Sequence, residues 1–308
     1  MQCIIAVHPF VLKVISEDFP VDSSSDVVAQ QNTPNRMAVA RTASVIDLYA
    51  SPWWLFALIL LGIFVVILIA TNEDYGDAFR YLQQGIQMTL FVSFWAYGLS
   101  LVIGLLVGLA RVSPPKAPLY RGTGTLRAVL KVVIYNLATF YVEVLRGLPI
   151  IIVILVMAFV IVPGVRNLLG VDINGSSPSS AIAALCLVYG AFLSETFRAG
   201  IQSISRGQIE AARSLGMTYP QTMRHVVLPQ AIRVILPPLG NDLIAMIKDS
   251  SLVAFLGIRD VTQLAKLWSG QNFLYLTTYF VAAMIYLSFS VIGTRLVRFL
   301  ERKSRLGV

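Results

Sequence analysis

Asn241, Asp242, Lys248, Asp249, Ser250 and Ser251 fall within Pro237 to Gly257, a stretch that is otherwise apolar. An ionisable side chain inside a lipid-spanning helix costs at least ~2.5 kcal/mol on insertion scales, so such groups mark a pathway or bond to neighbouring helices. Asn241, Ala245 and Lys248 recur at i, i+4, i+7 and share one helical face, while Asp242 and Asp249 share the adjoining one. Lys248 and Asp249 are neighbours in sequence and do not face each other, so their partners lie on other helices, in water or on a solute. A stripe bearing both signs of charge could hold a zwitterion weakly enough to release it. The same groups could equally form interhelical bonds that fix a dimer or a gate, and both readings stand at this stage. Glu143 with Arg146, and Glu195 with Arg198, have the i, i+3 spacing of local ion pairs near helix ends.

Other chemistry finds little support. The only histidines, His8 and His225, cannot form a metal triad or a hydrolase triad together. Cys3 and Cys186 are far apart and lack metal-ligand spacing. No Gly is followed by Lys, so no phosphate-binding loop exists on this chain.

The elements that must carry the polar stripe are membrane helices. The chain of 308 residues is 56% hydrophobic and 13% charged, with a mean hydropathy of +0.74, against about 25% charged residues in ordinary globular domains. The formal charge of +8 does not point to nucleic acid, because the basic residues sit in short stretches between apolar runs. Residues 1–51 read as a polar cytoplasmic arm without a cleaved signal peptide, with Cys3 to Val14 able to form a short amphipathic helix. Six spans follow: an additional helix within 52–72 (Trp53 to Ala70), then about Ile86 to Ala110, Gly147 to Val165, Ala181 to about Ala199, Pro237 to Gly257, and one within Leu267 to Thr294. If the arm, 111–146, 198–233 and 295–308 share one side, that side holds 19 of the 24 Lys and Arg residues. The positive-inside rule then places both termini in the cytoplasm.

Between the fourth and fifth spans, residues 205–229 read as a helix, a turn and a second helix. Ser205 suits the first N-cap, Gly216 the left-handed residue that ends that helix, and Thr218 with Gln221 a capping box for the second. Small Ala211 and Ala212 leave room for another surface to approach. From physics alone this is a docking element or an amphipathic hairpin lying on the membrane.

Glu210-Ala211-Ala212, then Gly216, then Val226-x-Leu228-Pro229 resemble the EAA loop of ABC importer permeases, with every spacing matched and Val226 in place of Ile. The stretches 141–149, 194–203 and 248–252 are similar to signatures of the polar amino-acid branch, which includes histidine and glutamine permeases. The resemblance covers about 85–302. Ser205 stands where these permeases usually have Pro, and Ile209 where they often have Trp.

The resemblance implies an all-α membrane protein: a five-helix type I ABC importer core over 85–302, to which the N-terminal helix is an addition. It implies that Glu210, Ala211, Ala212 and Gly216 dock on a separate ATPase subunit, and that Leu228 and Pro229 turn the chain back toward the membrane. The implied partners are an ATPase dimer that binds ATP and Mg, a second permease subunit (identical or homologous), and an extracytoplasmic amino-acid-binding protein. The implied location is the bacterial inner membrane, and catalysis belongs to the partner chain. A permease for an opine or amine, or a secondary transporter working alone, are the alternatives; the latter leaves the hairpin unexplained.

Overall fold

A computed structural model describes residues 53–112, 114, 125–170 and 174–305. The arm over 1–51, the helix expected at Cys3 to Val14, and Cys3 and His8 lie outside the described residues. The chain divides into two units, Met1–Ile59 and Leu60–Val308. Of the first, only the opening turns of helix α1 (Trp53–Thr71) are described.

Helix α1 carries no charged residue and stops at Asn72, whose Oδ1 accepts from the Asp74 backbone N–H at 3.0 Å and opens α2 (Glu73–Leu82). Acids at Glu73 and Asp74 complement the positive end of the α2 dipole. One turn of 3-10 helix, Gln83–Gly85, leads into α3 (Ile86–Val112). After α4 (Thr125–Gly147) and Pro149 come α5 (Ile150–Val156), a π turn (Met157–Ile161) and α6 (Val162–Leu169). Helix α7 (Pro178–Gln202) is followed by the hairpin helices α8 (Arg206–Ser214) and α9 (Tyr219–Thr222). A second π turn (Met223–Val227) continues into α10 (Leu228–Asp249) and a 3-10 segment (Ser250–Leu256). Helices α11 (Val261–Asn272) and α12 (Tyr275–Arg305) complete the chain. Each π turn ends two residues before a proline, Pro163 or Pro229, whose missing N–H breaks the regular ladder.

Helix α7 is the centre of the bundle, with 61% of its apolar window buried against 11% for α4. Glycines set its approach to α3. A Cβ on Gly104 would lie 2.7 Å from Leu193 Cβ, and one on Gly108 would lie 2.8 Å from Ser194 O. The Gly-x-x-x-Gly spacing is thus a close helix contact. Val92, Ala96, Ile154, Leu185, Tyr189 and Met246 belong to the main core, which joins α3, α5, α7 and α10. A smaller core joins α2, α11 and α12 through Leu82, Val261 and Val281.

Five helices are long and apolar enough to cross a membrane, 73–112, 128–147, 150–168, 178–202 and 275–302, beside the shorter apolar 55–71. The expected fold class, all-α with a five-helix core and one N-terminal helix, holds, but the membership differs from the sequence expectation by one exchange. Helix 128–147 lies in what reads from sequence as a cytoplasmic loop. It qualifies because only Lys131, Glu143 and Arg146 interrupt its apolar run. Helix α10 does not qualify, because Arg233, Asp242, Lys248 and Asp249 dilute it.

Both helices pack on α7. Helix α10 runs down the length of α7, with Ile235 at Gly200 and Asp249 at Tyr189. Helix α4 meets α7 where Tyr141 Oη donates to Leu187 O at 2.5 Å. Its last turns lie beside Arg111, at the same end of the bundle where α3 finishes. The sixth expected span starts only at Tyr275, because Phe273 (φ 59°) ends α11 and separates the two helices.

Candidate functional site

The hairpin stands at the end of the bundle where α7 finishes. Ser205 occupies the N-cap of α8 with extended backbone, but its hydroxyl makes no capping bond; the N-cap position is as expected and the bond is not. Helix α8 ends in a Schellman arrangement: Gly216 N–H donates to Arg213 O at 3.0 Å and Met217 N–H to Ala212 O at 3.2 Å. Gly216 has φ +81°, the left-handed value that favours glycine. Across the turn, Gln221 Oε1 accepts from Thr218 N–H at 2.8 Å and from Thr218 Oγ1 at 2.9 Å.

Glu210, Ala211 and Gly216 are exposed, whereas Ala212 is buried, so only one of the two alanines faces outward. Leu215 is 84% exposed and Tyr219 64%, and they flank Gly216 as an apolar tip that sequence reading missed. Large apolar residues at the tip of a polar hairpin are the only signal that could have revealed it. Leu228 and Pro229 do not turn the chain. The reversal lies at 215–218, and residues 228–229 begin α10 as a helical continuation of the π turn.

The six polar residues of α10 and its extension divide by face. Asn241 and Lys248 are exposed. Asp242 and Asp249 are half-buried and face α7: Thr196 Oγ1 donates to Asp242 Oδ2 at 3.4 Å, and Tyr189 Oη donates to Asp249 Oδ2 at 2.7 Å. Ser250 is buried and donates to Ile247 O at 2.7 Å. Lys248 and Ser251 line a surface cavity of about 370 Å3 together with Thr262, Tyr279 and Tyr286.

Of the two expected i, i+3 ion pairs, Glu195–Arg198 forms. Glu143 instead reaches Arg111 Nη2 at 3.8 Å, while Arg146 lies over the Phe192 ring, 5.6 Å from its centroid. An aromatic face on α7 thus takes the cation that the spacing assigned to Glu143. Arg111, only 9% exposed, also pairs with Glu195 at 3.2 Å through Nη1. Its signal in the sequence is slight: it is the first charge after the charge-free run from Tyr81 to Ala110.

Among the described residues no group of acids, histidines or cysteines could hold a metal ion. The fold and these features define a multi-pass helical membrane protein with a hairpin exposed at one end and polar residues within the bundle. Residues 122–306 match the family described as binding-protein-dependent transport system inner membrane component. The chain belongs to that family, the membrane permeases of ABC importers. It is 32% identical over 225 residues to the glutamine transport system permease protein GlnP of Escherichia coli, covering 73% of this chain and 93% of that protein. To the arginine transport system permease protein ArtQ of Bacillus subtilis it is 31% identical over 223 residues, covering 72% and 92%. Its structure is similar to that of an amino acid ABC transporter crystallised with histidines, at a TM-score of 0.61 and 32% identity, over 73% of this chain and 94% of that one.

Proposed function

We propose that the chain is a permease subunit of an ATP-driven importer for a polar amino acid, placed in the bacterial inner membrane with both termini in the cytoplasm. The observation that carries the reading is the exposed hairpin of α8 and α9, whose Ala211, Leu215 and Tyr219 offer a small and apolar surface to a partner. The partner is a separate ATPase dimer that binds ATP and Mg. A second permease subunit, identical or homologous, completes the path, and an extracytoplasmic binding protein delivers solute to the opposite end. The basic bias of 111–146, 198–233 and 295–308 supports a cytoplasmic hairpin. The relatives named for glutamine and arginine support an amino-acid substrate.

Solute passes along the α10 face of α7. Among the described residues Asp242 and Asp249 there have hydroxyl donors only, and their remaining lone pairs suit an ammonium group. Closure of the ATPase dimer draws the hairpins of the two permeases together and opens the path outward. Ala211→Arg and Gly216→Arg are expected to lower the ATPase retained on purification by at least about tenfold, the effect of ~1.4 kcal/mol. Undiminished retention, or solute transport by the isolated chain without nucleotide, would overturn the proposal.

A further inference from the structure

We propose that Arg111 is a positioning residue that clamps the ends of α3, α4 and α7 into one body immediately ahead of the hairpin. Displacement of the hairpin then reaches α3 and α4 through paired charges. This rests on the reading that a separate ATPase moves the hairpin.

The bonds form a closed circuit. Arg111 Nη1 meets Glu195 at 3.2 Å, and Glu195 also holds Arg198. Arg198 Nη1 donates to Gln202 Oε1 at 3.0 Å, and Gln202 Nε2 donates to Val112 O at 2.9 Å, one residue on from Arg111. Gln202 is the last residue of α7, four before the start of α8. Glu143 on α4 is the looser third arm, at 3.8 Å. Gly108 lies against Ser194, which brings the α3 and α7 backbones close enough for Arg111 and Glu195 to meet. The planar fork of arginine sends Nη1 and Nη2 to carboxylates on two different helices, a spread that the single nitrogen of a lysine lacks. A pair that only stabilised α7 would need neither α4 nor the link to the residue that leads into the hairpin.

The test uses the reconstituted complex of permease, ATPase and binding protein. Spin labels go on exposed Leu109→Cys in α3 and Arg213→Cys in α8. With Arg111 intact, the distance between the labels keeps one narrow distribution with and without ATP. With Arg111→Gln the distribution broadens or shifts on ATP addition, and solute moved per ATP hydrolysed falls about tenfold while the ATPase stays bound. Gln202→Ala, which leaves the buried charges paired, shifts both readouts in the same direction by less and decides the matter if Arg111→Gln fails to assemble. Arg111→Glu combined with Glu195→Arg restores part of the coupling. Unchanged distances and coupling in Arg111→Gln, or in Gln202→Ala, overturn the clamp, as does a loss that the charge exchange does not repair. Failure of the ATPase reading is recognised separately: Ala211→Arg then keeps the ATPase, while the label distances without nucleotide still report on the clamp.

Discussion

On the side of α7 that faces α3 and α4, Glu195 is bounded by two guanidinium groups, those of Arg111 and Arg198. On the side that faces α10, Thr196 and Tyr189 present hydroxyls to Asp242 and Asp249, and among the described residues neither acid forms an ion pair. One helix therefore carries matched charges on one face and acids held by neutral donors on the other. Matched charges out of water are costly to separate, because the remaining partner is left uncompensated. A hydroxyl donor brings no charge of its own to a carboxylate, and a cationic group can take the place of that donor. The first face is built to stay together and the second to exchange partners.

The widest separation between the faces is expected in stability. Arg111→Ala removes the buried guanidinium that ties Glu195 to α3, leaving Glu195 with Arg198 alone, and is expected to cost about 2 kcal/mol, read as a fall in the apparent melting temperature of the purified permease. Asp242→Ala, which removes an acid whose Thr196 donor lies at 3.4 Å, is expected to cost less than about 1 kcal/mol. Equal losses would abolish the contrast.

A smaller effect sharpens the exchange face. Tyr189→Phe removes the 2.7 Å bond to Asp249, and hydrogen bonds to charged groups are worth about 1.5–3 kcal/mol, with the lower end expected where half-burial lets water substitute. Its larger signature is functional: solute-stimulated ATPase activity or solute preference changes while the complex still assembles. Asp249→Asn should act alike. If either variant instead prevents assembly with the second permease, the acids serve as interhelical ties and the path lies elsewhere.

Local rules made the hairpin legible. Gly216, Thr218 and Gln221 act within one turn of their own positions, so spacing alone placed the turn and the second cap. Gly104 and Gly108 carry the Gly-x-x-x-Gly spacing of a packing surface, although nothing in the sequence names Leu193 and Ser194 as what they meet. The seven-residue spacing of Asp242 and Asp249 correctly put them on a common face, but that this face meets Tyr189 and Thr196 depends on how α10 docks on α7. Arg111 fell outside such reasoning altogether, because its carboxylates are 32 and 84 residues away along the chain. Helix α4 shows the opposite limit. Its length and hydropathy qualify it as a span, yet Lys131, Glu143 and Arg146 within it make it read from sequence as a loop.

The smallest expected effect concerns a third arrangement, outside the spans. Asp260 is fully buried between α3, α11 and α12. Its Oδ1 accepts from Gln263 N–H at 2.8 Å as the N-cap of α11, and its Oδ2 accepts from Tyr286 Oη at 3.1 Å. Thr262 stands 2.9 Å from the same Tyr286 hydroxyl, and Thr89 Oγ1 accepts from Val261 N–H at 3.2 Å. Burial raises the Asp260 carboxyl above its ordinary 3.8, against the opposing pull of these donors. A raised folded-state value means that the folded form holds the proton more tightly than the unfolded form. The stability this contributes is complete below about pH 3.8 and is lost as pH rises through the folded-state value. Asparagine can accept from Gln263 and donate to Tyr286, and it does not titrate. Asp260→Asn is therefore expected to gain in apparent melting temperature relative to the parent as pH rises from 4 toward neutrality (about three units, all above the unfolded value), by a fraction of the Arg111→Ala effect. Parallel melting curves across that range would show that the hydroxyl and backbone donors already offset the burial, and Asp260 would then join the acids that α7 holds by neutral partners.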